Sequence, residues 1–354
     1  MIGLGLAAGF DLARQPALAL ALFVPLTLGI ILLWTKQSIS TQWGITLLGV
    51  LLVIDLGWFD SSLMHFVSPE NALLPGRPAA QYLAQTPQVA RIYSPSYSLP
   101  AQTAASKNLH LADGVEPVHL AVYDGFMARA GGYNDPAFSV TIPNFNGRDP
   151  ATTFKNTEPD LKLLGLLNVT HLTADFPMTW AGLTPAAKIG NTYIYRNQKA
   201  LPRAWVAHQI IPAESDWLSQ LAAMPNLAHQ ILVEDEVSRR YPTITPNNLP
   251  ANPVSINYSS PDLIEANTKI TVPGWLVFSE LWYPGWQATV NGRPQPVEKV
   301  NGLLRGIYLG RPGEYQVSVT YHPKSVVWGK WISAITLVIV LTAGGWLVYR
   351  TKQG

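Results

Sequence analysis

From Trp331 to Tyr349 the chain reads WISAITLVIVLTAGGWLVY and carries no charge, which leaves that segment little choice of solvent. A bilayer core about 30 Å thick takes roughly 20 apolar helical residues. The run therefore predicts a membrane span beginning near Val326, within a C-terminal segment of residues 326–354. Two earlier stretches make the same demand. ALALALFVPLTLGIILLW, residues 17–34, is uncharged, and WGITLLGVLLVIDLGWF, residues 43–59, holds a single acid, Asp55. All three have Trp or Tyr near an end, where amphipathic rings favour the headgroup region.

A cleaved signal peptide would need a basic leader, and here the first apolar run is followed at once by a second. A helical hairpin within residues 1–59 is the expectation. Lys36 between the first two runs, with Arg350 and Lys352 after the third, leans toward placing those ends in the cytoplasm, although Arg14, Lys324 and Lys330 count the other way. Residues 60–325 are then expected outside a multi-pass cell-membrane protein. Asp55 at mid-bilayer would cost on the order of 3 kcal/mol. It stands about one turn from the outer end of its run, so an interfacial hydrogen bond is expected ahead of ion coupling.

Only 13% of the 354 residues are charged, and 24 basic against 22 acidic residues give a net charge of +2 without long runs. That distribution offers no electrostatic footprint for nucleic acid. With no cysteine there are no disulfides, thiolate metal sites or thiol nucleophiles. The scattered histidines form no His-x-x-x-His, and the one Glu-x-x-His, Glu116 to His119, contains Pro117, which disfavours the helix that would align the pair. No metal ligand is assigned. Nucleophile-elbow, P-loop and dinucleotide fingerprints are also absent. NVT at Asn168 and NYS at Asn257 match a glycosylation sequon too short to carry weight.

The outer segment reads as mixed α+β. In residues 60–250, AAQYLAQT is helical in pattern, VARIYSP strand-like, and TEPDLKLLGLLNVTHLTAD an acidic helix start followed by a β-branched strand. ESDWLSQLAAMPNLAHQILVEDE suggests an amphipathic helix broken near Pro225. From 251 to 325 short alternating runs are punctuated by Pro284-Gly285, Asn291-Gly292, Asn301-Gly302 and Pro312-Gly313, which predicts a small antiparallel β-sandwich. The Pro/Asn-rich stretch 241–253 is the expected boundary.

Two constellations could bind a ligand. Trp282, Tyr283 and Trp286 in LWYPGWQATVNGR offer rings that stack on pyranose faces, but alternation sends Trp282 and Tyr283 to opposite faces, so corner packing is the expectation. Asn108, Tyr123, Asp124 and Arg129 combine an amide, an acid and a guanidinium able to bind sugar hydroxyls or a phosphate, against a plain turn at Asp124-Gly125.

Several stretches carry a family resemblance. NLHLADGVEPVHLAVYDGF, LKLLGLLNVTHLTAD, NQKALPRAWVA and SELWYPGWQATVNGRPQPVEKVNGLLRGIYLGRPGEYQVSVTYHPKSVVWGKWIS resemble, in this order, stretches of YfhO-type bacterial membrane proteins, in which an asparagine, a glycine and a Tyr-Asp pair recur, here Asn108, Gly114, Tyr123 and Asp124. The resemblance covers the chain from about residue 43. It implies a relation to the C-superfamily (GT-C) glycosyltransferases, which use polyprenyl-phosphate sugars outside the membrane to decorate envelope polymers. Those enzymes have many spans and a candidate catalytic acid in their first outer loop. This chain is similar only to the C-terminal portion of that architecture, so no catalytic residue carries over. By the same resemblance, a polyprenyl-phosphate sugar or a divalent metal, an envelope glycopolymer and a catalytic membrane partner are the implied ligands and associates. The alternative is a non-catalytic anchored subunit that binds polysaccharide or protein.

Overall fold

The computed structural model describes residues 21–63, 68–115, 118–133, 142–145, 147–244 and 252–351. Residues 17–20 of the first expected span, Arg14, the Glu116-Pro117 pair, the boundary at 250/251 and Lys352 lie outside the described residues. The chain divides into two compact units, Met1–Ala72 and Leu73–Gly354.

In the first unit, apolar helices Ala21–Thr35 and Thr41–Leu63 are joined by a tight turn. Gln37 there takes a left-handed φ of 56°, and the Ser38 amide donates back to the Leu33 carbonyl at 2.9 Å. This overlapping pattern satisfies the carbonyls a helix end leaves open. Among the described residues the apolar parts are Ala21–Thr35 and Thr41–Gly57, each shorter than the roughly 20 residues a bilayer core takes. Asp55 is half-buried in the second of these helices.

The second unit ends in helix Lys324–Thr351, whose Lys324–Trp346 stretch is long and apolar enough to cross a membrane. None of that stretch is buried, and Val326, Trp331, Ile335, Leu337, Leu341 and Trp346 are all exposed. A helix apolar on every face and left exposed along its length among the described residues is suited to lipid.

Before that helix come three sheets. The first has β1 (Arg91–Tyr93), β2 (His110–Leu111), β3 (Val169–Ala174), β4 (Leu183–Ile189) and β5 (Thr192–Asn197) in the order β2-β1-β3-β5-β4, with β1 parallel to both neighbours. Alternation puts Ile92 on one face, among Ala80, Leu83 and Leu99, and Tyr93 on the other, against Phe126, Leu163 and Leu172. Helices Arg77–Gln85 and Ala101–Ala105 supply the first layer; Ala121–Gly131 and Leu161–Leu166 supply the second.

The second sheet has β6 (Ala204–Ala207), β7 (Gln209–Pro212), β8 (Gln230–Val233), β11 (Gly274–Leu281), β14 (Glu298–Val300) and β15 (Leu304–Leu309). The third has β9 (Val254–Ser260), β10 (Leu263–Ile270), β12 (Trp286–Val290), β13 (Arg293–Gln295) and β16 (Gly313–Tyr321). They pack face to face: Val206, Leu276, Phe278 and Ile307 of the second meet Ile264, Ala266, Val317 and Val319 of the third. The opposite face of the second sheet puts Trp205, Trp275 and Val277 into the large core shared with the first sheet. Buried on both sides, β6 and β11 read as unbroken apolar runs, whereas β10, covered on one side, alternates.

The mixed α+β expectation holds, with two details to report. The second sheet joins strands from before the 241–253 stretch to strands after it. Of the expected broken helix over 214–236, Trp217–Ala223 is helix, and Asp235 and Glu236 open a second helix, Asp235–Arg240. QILV between them is a strand, because its side chains are buried on both faces and present no amphipathic stripe. At the Asn-Gly pairs all four residues have positive φ, between 49° and 76°, as type I′ hairpin turns require.

Candidate functional site

Along the β2 edge of the first sheet, where it meets the ends of β11 and β15, lies a cleft of about 870 Å³. One wall is His110–Gly114 with Val118–Leu120 and Tyr123; the other is Arg203, Ser279–Leu281, Tyr283 and Arg305; Arg91 and Leu167 close its base. Local packing explains why these groups meet. A Cβ on Gly165 would overlap the Lys199 carbonyl, so only glycine lets helix Leu161–Leu166 lie against the 197–203 loop. The Leu201 amide then donates to the Gly165 carbonyl at 3.0 Å, and the Asn168 amide group donates to Leu201 O at 2.7 Å. With the helix end fixed, Leu166 O accepts from the Ser279 hydroxyl at 3.0 Å and Leu167 O accepts from Arg91 Nη1 at 2.8 Å.

Glu280 is the centre of the second wall. Arg91 Nη2 lies 3.1 Å from one carboxylate oxygen; Arg203 Nε and the Tyr258 hydroxyl donate to the other at 2.7 and 2.9 Å. Burial alone would raise the Glu280 pKa, but Arg91 and Arg203 outweigh it and hold the carboxyl below its ordinary value. Arg305 is less well served. Its Nε donates to Leu281 O at 2.8 Å and its guanidinium centre lies 3.4 Å from the Trp286 ring centroid, but Nη1 is buried without a hydrogen-bond partner. Burial, partly offset by Glu280, lowers its pKa to about 10.

The first wall holds Asp113. Its Oδ2 accepts from the Ser94 amide at 3.3 Å, while Oδ1 is buried and unpaired, and burial pushes its pKa up to about 7. Tyr123 braces this wall by donating to Ala112 O at 2.6 Å, and burial raises its pKa as well. His110 is lowered by burial and then by Arg203 and Arg91, which favours neutral imidazole.

The residues singled out in the sequence are partly gathered here. Tyr123 and Tyr283 line the cleft, Tyr283 as a rim ring 46% exposed. Asp124 sits behind it, 2.7 Å from Nε2 of the lining residue His119. Trp286 supports Arg305 from below and stacks on Tyr321 at 5.0 Å. Trp282 points elsewhere, donating to Val297 O at 3.0 Å with Lys299 over its ring. The three aromatics therefore form no single platform; Trp282 and Tyr283 lie in the corner after β11, beyond the strand in which alternation would apply. Arg129 lines a separate recess with Glu158 and Lys199, away from Asp124. Asn108 is an exposed left-handed residue, φ 54°, after helix Ala101–Ala105.

Arg91, Arg203, Glu280, Arg305 and Asp113 were not singled out by sequence, although all but Arg91 stand inside the stretches quoted for the resemblance. Guanidiniums beside a carboxyl poised near neutrality can bind an oxyanion and exchange a proton with it. Among the described residues no three His, Asp or Glu side chains gather as metal ligands. Compared with known proteins, the chain matches no family model, no curated protein and no solved structure. Fold and site together define a class: a mixed α+β domain with an anion-suited cleft, attached to apolar helices of which one is long enough to span a bilayer.

Proposed function

We propose that the protein is a YfhO-type membrane component of bacterial cell-envelope glycosylation, with three spans, its 60–325 region outside, and the cleft as the place where donor or acceptor glycan is held. One observation carries this reading: the separate stretches that resemble the family converge on the cleft. NLHLADG supplies His110 and Asp113, LKLLGLLNV supplies Leu167, ALPRAWVA supplies Arg203, and SELWYPGW with its continuation supplies Ser279, Glu280, Tyr283 and Arg305. The rim ring of Tyr283 offers a stacking face for a pyranose. In cells that depend on the protein, Tyr283→Ala and Asp113→Asn should each reduce glycan on the purified envelope polymer at least tenfold while the protein stays inserted. Unchanged glycan in both variants sinks the proposal.

A second reading, a non-catalytic subunit that holds polysaccharide for a catalytic membrane partner, is favoured by the state of Glu280. Two arginines and a tyrosine engage its carboxylate, leaving Asp113 as the one free carboxyl on the described cleft walls. Full-length protein in lipid nanodiscs that binds purified envelope polysaccharide but transfers no sugar by itself would decide for this second reading.

A further inference from the structure

We infer that the arginine wall of the cleft is a phosphate-ester site, with Arg305 as its main contact and Arg91 and Arg203 as flanking charges. The inference rests on the cleft being the ligand site proposed above, but not on the ligand being a glycan. Arg305 is only 6% exposed, its Nε is tied to Leu281 O, and its plane is held against Trp286, so it cannot turn out to water. Its Nη1 is nevertheless buried without a hydrogen-bond partner, in a side chain that lines the cleft. A buried charged donor without an acceptor carries the full desolvation penalty, and a bound oxyanion removes it.

Charge selects phosphate over carboxylate. Three guanidiniums, Arg203 and Arg305 on this wall and Arg91 at its base, accompany one carboxylate, Glu280, which leaves an excess of two positive charges here. A phosphate monoester brings about 1.5 to 2 negative charges at neutral pH, a carboxylate only one. The planar guanidinium fork also matches phosphate oxygens better than an ammonium would. Position adds a second argument. Trp286, under Arg305, pairs with Tyr321 on β16, and the His322 amide donates to Gly285 O at 2.8 Å. The apolar helix starts at Lys324, so the arginine wall lies at the end of the domain from which the span departs. Headgroup phosphates occupy that level of a bilayer. The phosphate ester can come from a lipid headgroup or from a soluble molecule.

The test uses the full chain in phosphatidylcholine nanodiscs, titrated calorimetrically with inorganic phosphate, alone and with phosphatidic acid in the disc. Discs with oleate at equal surface charge are the control. The site predicts phosphate binding to the wild type, weakened at least tenfold in Arg305→Gln. Glu280→Gln should tighten binding several-fold by freeing Arg91 and Arg203, a gain that misfolding cannot produce. Suppression of the titration by phosphatidic acid but not by oleate assigns the phosphate to lipid; equal titration in all discs assigns it to a soluble ester. No phosphate binding by the wild type, or unaltered binding in Arg305→Gln, overturns the inference. Intact phosphate binding with no effect of the cleft variants on envelope glycan would overturn the glycosylation reading alone.

Discussion

Two carboxyl groups line the cleft and are shifted in opposite directions. Glu280 is part-buried, yet Arg91, Arg203 and the Tyr258 hydroxyl keep it ionised; Asp113, more deeply buried, has the Ser94 amide at 3.3 Å and one oxygen unpaired, and it is pushed up to about 7. Desolvation acts on both. What differs is whether the fold supplies opposite charge, and that difference makes one side chain a structural anchor and the other a group ready to gain or lose a proton near neutral pH.

The largest expected break in this contrast comes from Glu280→Ala. Removing one partner of a buried ion pair leaves the others uncompensated, and here Arg91 and Arg203 would both lose their carboxylate. The expected loss is about 3 to 5 kcal/mol, read as a lower urea midpoint by tryptophan fluorescence. Asp113→Ala has no charged partner to strand. A midpoint unchanged by Glu280→Ala would show that the arginines find other acceptors and that Glu280 is no anchor.

A smaller effect is expected from pH. Asp113 has a folded pKa near 7 against an ordinary value of 3.8, so the folded state holds its proton more tightly than the unfolded state does. The stabilisation from the neutral form is complete below about pH 4 and declines as pH rises toward 7. The slope is at most about 1.4 kcal/mol per pH unit for one proton. Subtracting the stability profile of Asp113→Asn from that of the wild type isolates the term. A flat difference between pH 4 and 7 would mean that Asp113 ionises normally and is not poised.

Much of the scaffold of this contrast could be read in the sequence, and little of the contrast itself. The uncharged run at 331–349 and the Asn-Gly pairs name their structures because the cause is local: a helix must satisfy its own backbone in lipid, and Asn-Gly accepts two positive φ values in succession. QILV at 230–233 was misread because a strand buried on both faces lacks periodicity. Composition at 241–253 suggests a boundary but cannot say that β6 and β11 on either side of it are paired, Trp275 opposite Ala207. Arg91 and Glu280 are 189 positions apart, and nothing in RIYSP or SELWY reports their 3.1 Å contact. Tyr123 and Asp124 were found because they adjoin in sequence, whereas Asp113 depends on burial that only the assembled sheet edge creates.

The smallest expected effect sharpens the account of Asp113 most. Tyr123 donates to Ala112 O at 2.6 Å, which ties helix Ala121–Gly131 to the residue before the acid. Tyr123→Phe keeps the ring and deletes that bond, so stability should fall by about 1 kcal/mol. Because burial and backbone donors, rather than this hydroxyl, set the Asp113 pKa, the decline between pH 4 and 7 should keep its midpoint and slope in the variant. A profile displaced to lower pH would mean that losing the brace lets water reach Asp113. Its poise would then depend on how tightly helix Ala121–Gly131 closes the wall, and the contrast with Glu280 would be one of rigidity as well as of charge.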